Sequence, residues 1–268
     1  MNSGNFKILK VKENEVTEAD DSAAIEEPLE ISIVYGKEQV KKIISITMRT
    51  PGNDEELAAG FLFTEGITKD KNSIQSFSKG LNTVTVTLNE NSDVNLKSAD
   101  RNFYMTSSCG ICGKSSINSV KINSNYSINF SNYKISKDII LSLPEALRKN
   151  QNIFESTGGL HASGLFDSSG NFITLKEDVG RHNALDKLAG YCLENNIIPL
   201  SNYILLLSGR ASFELIQKSV MLGIPVVCAV GAPSSLAIEL AQENKITLIG
   251  FLREHRFNIY TYPERIQL

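Results

Sequence analysis

The chain has 268 residues, a net charge of −3, 41% hydrophobic and 21% charged residues. That composition describes an ordinary globular protein long enough for two joined units, and its mild acidity argues against a general nucleic-acid or membrane-surface binder. No apolar run approaches a membrane span and the first residues lack an apolar leader, so four cysteines point to a reducing, cytoplasmic setting.

Residues 1–26 read as an acidic tail or irregular lead-in, with Glu13, Glu15, Glu18, Asp20 and Asp21 and few aromatics. Residues 27–104 read as a small α+β domain. Leu29, Ile31 and Ile33 alternate with polar residues, Gly36-Lys37-Glu38 makes a turn, and Ile43–Met48 supplies a second strand. Pro51-Gly52 then breaks the chain. Asn53 or Asp54 can cap the helix that follows, whose acidic first turn suits the macrodipole. Arg49, beside that Pro-Gly turn, is a candidate anion holder. Short strands are expected at 74–77 and 84–88.

Residues 105–130 form a C-x-x-C loop and linker. Cys109 and Cys112 are each followed by glycine, hydroxyl residues crowd both sides, and Lys114 stands close behind. Such a loop presents its thiols, and a nearby lysine favours the thiolate. Three chemistries fit the spacing. A structural zinc site would want two more ligands, but Cys192 and Cys228 stand alone and the histidines at 161, 182 and 255 are scattered. No metal site is therefore expected. A dithiol oxidoreductase would want a helix directly after the pair, and Ser115–Val120 is a poor one. A persulfide relay requires an exposed, low-pKa cysteine, and that is what the loop offers.

Residues 131–268 follow α/β grammar. A helix is expected over 136–147, kinked or restarted at Pro144. A hairpin covers 160–175, and helices near 183–195, 212–222 and 235–243 alternate with strands at 203–207, 224–230 and 246–251. Continuous apolar strands predict a largely parallel, buried sheet, with function at the strand ends. Three polar loops lie at those ends, each with an arginine: Glu177–Asn183 with Arg181 and His182, Ser208–Glu214 with Gly209 and Arg210, and Phe251–Asn258 with Arg253, His255 and Arg256. Their polar groups exceed what a core needs. Arginine beside glycine at a helix N-terminus suits phosphate, so together they favour a large anionic ligand such as a nucleotide. There is no Walker A loop and no G-x-G-x-x-G.

Taken together, the Arg49-Thr50-Pro51-Gly52 turn and its helix, the Cys109/Cys112 loop, Asp178–Lys187 and Ser208–Glu214 resemble the FdhD family over about 27–265. The resemblance implies a sulfur carrier, or sulfurtransferase, required by formate dehydrogenase. Such a protein takes persulfide sulfur from a cysteine desulfurase and passes it to the molybdenum of bis-molybdopterin guanine dinucleotide. The same resemblance makes Cys109 the carrier with Cys112 assisting or resolving. It assigns Phe251, Leu252, Arg253, Glu254, His255 and Arg256 to the cofactor, with Arg181, His182, Gly209 and Arg210 as anion contacts. It further implies a homodimer and a C-terminal cytidine-deaminase-like three-layer α/β domain. Deamination itself is excluded: where H-x-E and P-C-x-x-C are needed the chain has His182-Asn183-Ala184 and Gly209-Arg210-Ala211-Ser212. A cofactor chaperone without covalent sulfur chemistry is the alternative.

Overall fold

A computed structural model describes residues 2–92, 94, 126, 134–151, 154 and 157–268. Cys109, Cys112 and Lys114 lie outside these residues, as does the expected loop and linker over 105–130 apart from Tyr126.

The lead-in is not irregular. β1 (Ser3–Lys12) and β2 (Glu15–Ala24) form an antiparallel hairpin closed by Glu13-Asn14, with Glu13 left-handed. Two of its acids face lysines across the ribbon: Lys7 pairs with Asp20 and Lys12 with Glu15. Opposite charges set directly across two strands favour that register. Acidic composition had hidden a period-2 pattern.

An α+β arrangement follows over Glu27–Leu88. β3 (Glu27–Tyr35), β4 (Val40–Arg49), β5 (Ile74–Gly80) and β6 (Thr83–Leu88) build a sheet in the order β4-β3-β6-β5. Its inner face, with Leu29, Ile31, Ile33, Val84 and Val86, packs on α1 (Asp54–Thr64) through Leu57, Ala58 and Leu62. Asn53 caps α1 by a left-handed backbone rather than by its side chain.

The second unit is a mixed sheet, not the largely parallel one expected. Its strands are β8 (His161–Asp167), β9 (Phe172–Asp178), β10 (Tyr203–Leu207), β11 (Val226–Ala229), β12 (Thr247–Arg253) and β13 (Arg256–Ile259), in the order β13-β12-β11-β10-β8-β9. Only β10–β11 and β11–β12 are parallel, because the β8–β9 hairpin enters antiparallel and β13 folds back on β12. β13 also corrects the third polar loop. Arg253 pairs with Arg256 across Glu254-His255, making 251–258 a tight hairpin.

Helices cover both faces. α3 (Arg181–Glu194), α4 (Phe213–Leu222) and α5 (Ser235–Glu243) pack one side through Leu185, Leu188, Ile216, Val220 and Leu240. α2 (Lys137–Asn150) covers the other through Ile140, Leu143 and Leu147 and runs unbroken past Pro144. A short pair, β7 (Ile135–Ser136) with β14 (Ile266–Gln267), ties α2 to the C-terminus.

The two units meet where α1 crosses α3. A Cβ added at Gly60 would strike the Asp186 carbonyl, and one at Gly190 the Glu56 carbonyl, so the backbones touch. Overpacking forces such helices apart, typically at about 1–3 kcal/mol or more.

Candidate functional site

The polar residues of the first two loops divide on inspection. Asp178, Asn183, Asp186 and Lys187 are all buried, so the core does use them. Lys187 Nζ lies 2.8 Å from Asp178 Oδ2 and donates to the Thr50 carbonyl at 2.8 Å. The Thr50 N–H donates to the same carboxylate at 3.1 Å, and Asn183 Nδ2 donates to the Met48 carbonyl at 2.7 Å. These bonds clamp the 49–52 turn of the first unit onto the start of α3. One turn further, Asp186 accepts from Thr64 at 2.7 Å and pairs with Lys218 at 2.9 Å, and Lys218 also reaches Glu65 at 2.8 Å. Burial pushes Asp186 up to about 6 despite Lys218, whereas Asp186 and Glu65 outweigh burial at Lys218 and raise it.

Arg49 is likewise no anion holder. Its guanidinium is buried and spent on Asp54, at 2.9 and 3.0 Å, with Glu27 and Asn82 around it. A fork already holding a carboxylate has nothing left for an outside anion.

Of the remaining candidates, the 252–256 stretch lies at the C-terminal ends of the parallel strands, where the open-sheet rule puts a ligand. There a cleft of about 690 Å³ is lined by Leu252, Arg253, Glu254, His255 and Arg256, with His161 and Ser208 opposite. Arg253 is held at its guanidinium: Nη1 donates to the Val230 carbonyl at 2.7 Å and to the Leu252 carbonyl at 2.8 Å. Leu252 is buried in the core, while Glu254, His255 and Arg256 are exposed. Phe251 sits at a bulge between Gly250 and Arg253 with φ 54°, its N–H held by the Gly231 carbonyl at 3.1 Å. A non-glycine residue in the left-handed region carries strain, and such strain collects at functional sites.

Gly231 also donates to the Gly209 carbonyl at 2.8 Å, and a Cβ there would lie 2.9 Å from the Arg210 Cα. This close approach seats Arg210, which is exposed, beside Phe251. Gly209 leaves room for the His161 ring, which would be 3.3 Å from a Cβ at that position. Burial, and then the Arg181 charge, push His161 down, so its ring stays neutral more readily than a free histidine. The Arg181 charge is felt at both His161 and His182, and Arg181 does not line the cleft. Its Nε is buried with no hydrogen-bond partner among the described residues. His182 does not join them. It turns toward Ser212 Oγ at 3.5 Å, and burial, with Lys218 and Arg181 behind it, lowers it to about 4.

The cleft holds residues that sequence reasoning missed. Arg148, Gln151 and Phe154 reach it from the end of α2 and beyond, and Gly158 and Gly159 line its rim. Gly158-Gly159 before His161 was a visible signal for a turn, and Gly158 adopts φ 64° there. Arg148 had none, being one more cation on a helix surface.

The profile of the FdhD/NarQ family matches residues 24–267. The chain belongs to that family. Among its FdhD relatives, Sulfur carrier protein FdhD of Sulfurisphaera tokodaii is 46% identical over 263 residues, with 97% of each chain covered. The protein of the same name from Picrophilus torridus is 47% identical over 248 residues, 92% of each chain, and that from Streptomyces coelicolor is 43% identical with 98% and 95% covered. The fold is also that of a crystal structure from Desulfotalea psychrophila, provisionally described as a formate dehydrogenase accessory protein. Its TM-score is 0.75 at 24% identity over the whole of both chains. Among the described residues no helix is long and apolar enough to cross a membrane.

Proposed function

We propose that the chain is a cytoplasmic sulfur carrier serving formate dehydrogenase, with the molybdenum cofactor as its client. The observation that carries this reading is the cleft itself: Arg148, Arg253, Arg256, His161 and His255 surround a space of nucleotide size in a chain that also bears Cys109-x-x-Cys112. Guanidinium groups and a backbone-rich strand end suit the pyrophosphate and guanine ends of bis-molybdopterin guanine dinucleotide. Arg181, Gly209 and Arg210 would extend the anion contacts, and His182 would support them from within.

In the proposed cycle, the Cys109 thiolate attacks the outer sulfur of a cysteine desulfurase persulfide. A new S–S bond forms, the donor's S–S bond breaks, and the donor thiolate leaves. Delivery as sulfide needs two electrons. Attack by the Cys112 thiolate on Cys109 supplies them, releasing the outer sulfur as sulfide and leaving a Cys109–Cys112 disulfide that an external dithiol must reduce before the next turnover. Two copies of the chain would present two clefts to the two nucleotide ends. A cytidine-deaminase-like second unit is supported by the strand order β9-β8-β10-β11-β12, with helices on both faces.

The test is intact-protein mass after incubation with a cysteine desulfurase and cysteine. A gain of one sulfur in the wild type that disappears in Cys109→Ala is expected. No gain in the wild type would leave a cofactor chaperone without covalent sulfur chemistry.

A further inference from the structure

One acid lines the cleft. Glu254 stands in the β12–β13 turn with Arg148, Arg253 and Arg256 around it, and it is the single carboxylate among the described lining residues. A carboxylate in a cleft of this kind works against phosphate binding, because like charges set together across an interface are penalised. Such a group discriminates between ligands when the right one offers it something in return.

The turn that carries Glu254 is tied down. Arg253 and Arg256 pair across it, and Arg253 Nη1 donates to the Val230 carbonyl at the end of β11. From there Glu254 Oε1 lies 3.9 Å from Nη1 of Arg148, in the last turn of α2 on the facing wall. The two side chains are 55% and 73% exposed, and a pair so open to water contributes little to stability. A ligand can therefore take over both partners.

The chemistry of the pair selects that ligand. A carboxylate only accepts hydrogen bonds and a guanidinium only donates them. The matching group carries N–H donors for Glu254 beside an acceptor for Arg148, and the edge of a nucleobase has this form. Adenine and cytosine offer a carboxylate one amine next to a ring nitrogen acceptor, and uracil offers one N–H between two carbonyls. Guanine alone among the common bases has two adjacent donors, N1–H and its 2-amino group, with O6 next to them. We propose that Glu254 is the specificity-determining residue of the cleft, accepting from guanine N1–H and the 2-amino group. Arg148 donates to O6 with part of its five-donor fork. A bare phosphate satisfies the arginines and leaves Glu254 opposing it.

The proposal rests on the nucleotide reading above, and calorimetric titration of the full chain with GDP, IDP and inorganic pyrophosphate separates the two. IDP differs from GDP only in lacking the 2-amino group. The wild type is expected to bind GDP roughly tenfold or more tighter than IDP, the loss of one charge-assisted hydrogen bond. In Glu254→Gln that ratio should fall to within about threefold, and pyrophosphate should bind more tightly than it does to the wild type. XDP, whose 2-oxo group accepts where guanine donates, should bind Glu254→Gln at least about tenfold more tightly than the wild type. The thermal melt should not move, since the side chain is exposed. A Glu254→Gln chain that keeps the wild-type ratio, or a wild type that binds GDP and IDP alike, overturns the Glu254 assignment and leaves the nucleotide reading standing. A wild type that binds neither nucleotide overturns both.

Discussion

Two stretches of similar polarity, Asp178–Lys187 and Phe251–Arg256, end in opposite roles. The first is a buried clamp in which Asp178, Asn183, Asp186 and Lys187 hold the 49–52 turn and the end of α1 against α3 and α4. The second leaves Arg253, Glu254, His255 and Arg256 exposed around a cleft. Both lie in the same domain, at the ends of sheet strands. The difference is that the first unit packs over α3, through Gly60 and Gly190, and nothing comparable covers the β12–β13 turn among the described residues. Polar density alone therefore marks a site only where no second unit sits on it.

The sharpest way to break this comparison is to remove a cation from the clamp. Lys187→Ala leaves Asp178 buried without its charge partner, and that typically costs about 3–5 kcal/mol. The expected result is a large fall in the denaturant midpoint with an unchanged slope. A midpoint within experimental error of wild type would show that Lys187 is not holding the units together.

How much of this was legible beforehand follows the same line. β3, β4, β6 and α1 were read within a few residues because one buried face imposed a clean period, as with Val84, Val86 and Leu88. β13 was not, since Arg256–Ile259 has only Phe257 and Ile259 to report its alternation. β1 and β2 were missed because an exposed ribbon shows no buried face to set a period, and Asp20 is answered across the strands by Lys7 rather than nearby in sequence. At the site, the polar 252–256 stretch was legible as a strand-end loop and lines the cleft, whereas Phe251 and Gly209 stand outside its lining. Arg49 and Asp186 were misjudged or passed over because their partners, Asp54 and Lys218, are a matter of packing that no local pattern shows.

A second test uses pH. His182 stands behind the clamp, lowered from 6.5 to about 4. Below 6.5 the unfolded chain binds the proton that the folded chain refuses. Stability is therefore fully present above 6.5 and is lost as pH falls toward about 4, by up to about 3 kcal/mol at 1.36 kcal/mol per unit. Asp186, raised from 3.8 to about 6, acts the other way, gaining stability as pH falls through that window. The two oppose each other between about 4 and 6. His182→Gln removes one side, so its melting temperature should rise as pH is lowered from 6 to 4 relative to wild type. Parallel wild-type and variant profiles would show that the His182 ring does not resist protonation in the folded chain.

The smallest effect on folding, and the one that decides what the cleft is for, comes from Arg256→Ala. Arg256 is exposed, and surface substitutions of this kind usually change stability by within about 0.5 kcal/mol. If the cleft binds the nucleotide ends of the cofactor, the same substitution removes a charge-assisted contact, for which about 1.5–3 kcal/mol is typical, or roughly tenfold to a hundredfold in affinity. Calorimetric titration with GDP, beside a thermal melt of each protein, reads both quantities. A clamp residue should move the melt and a cleft residue the titration. An Arg256→Ala protein that binds GDP as the wild type does would take this arginine out of the site and leave Arg148 and Arg253 to carry the anion.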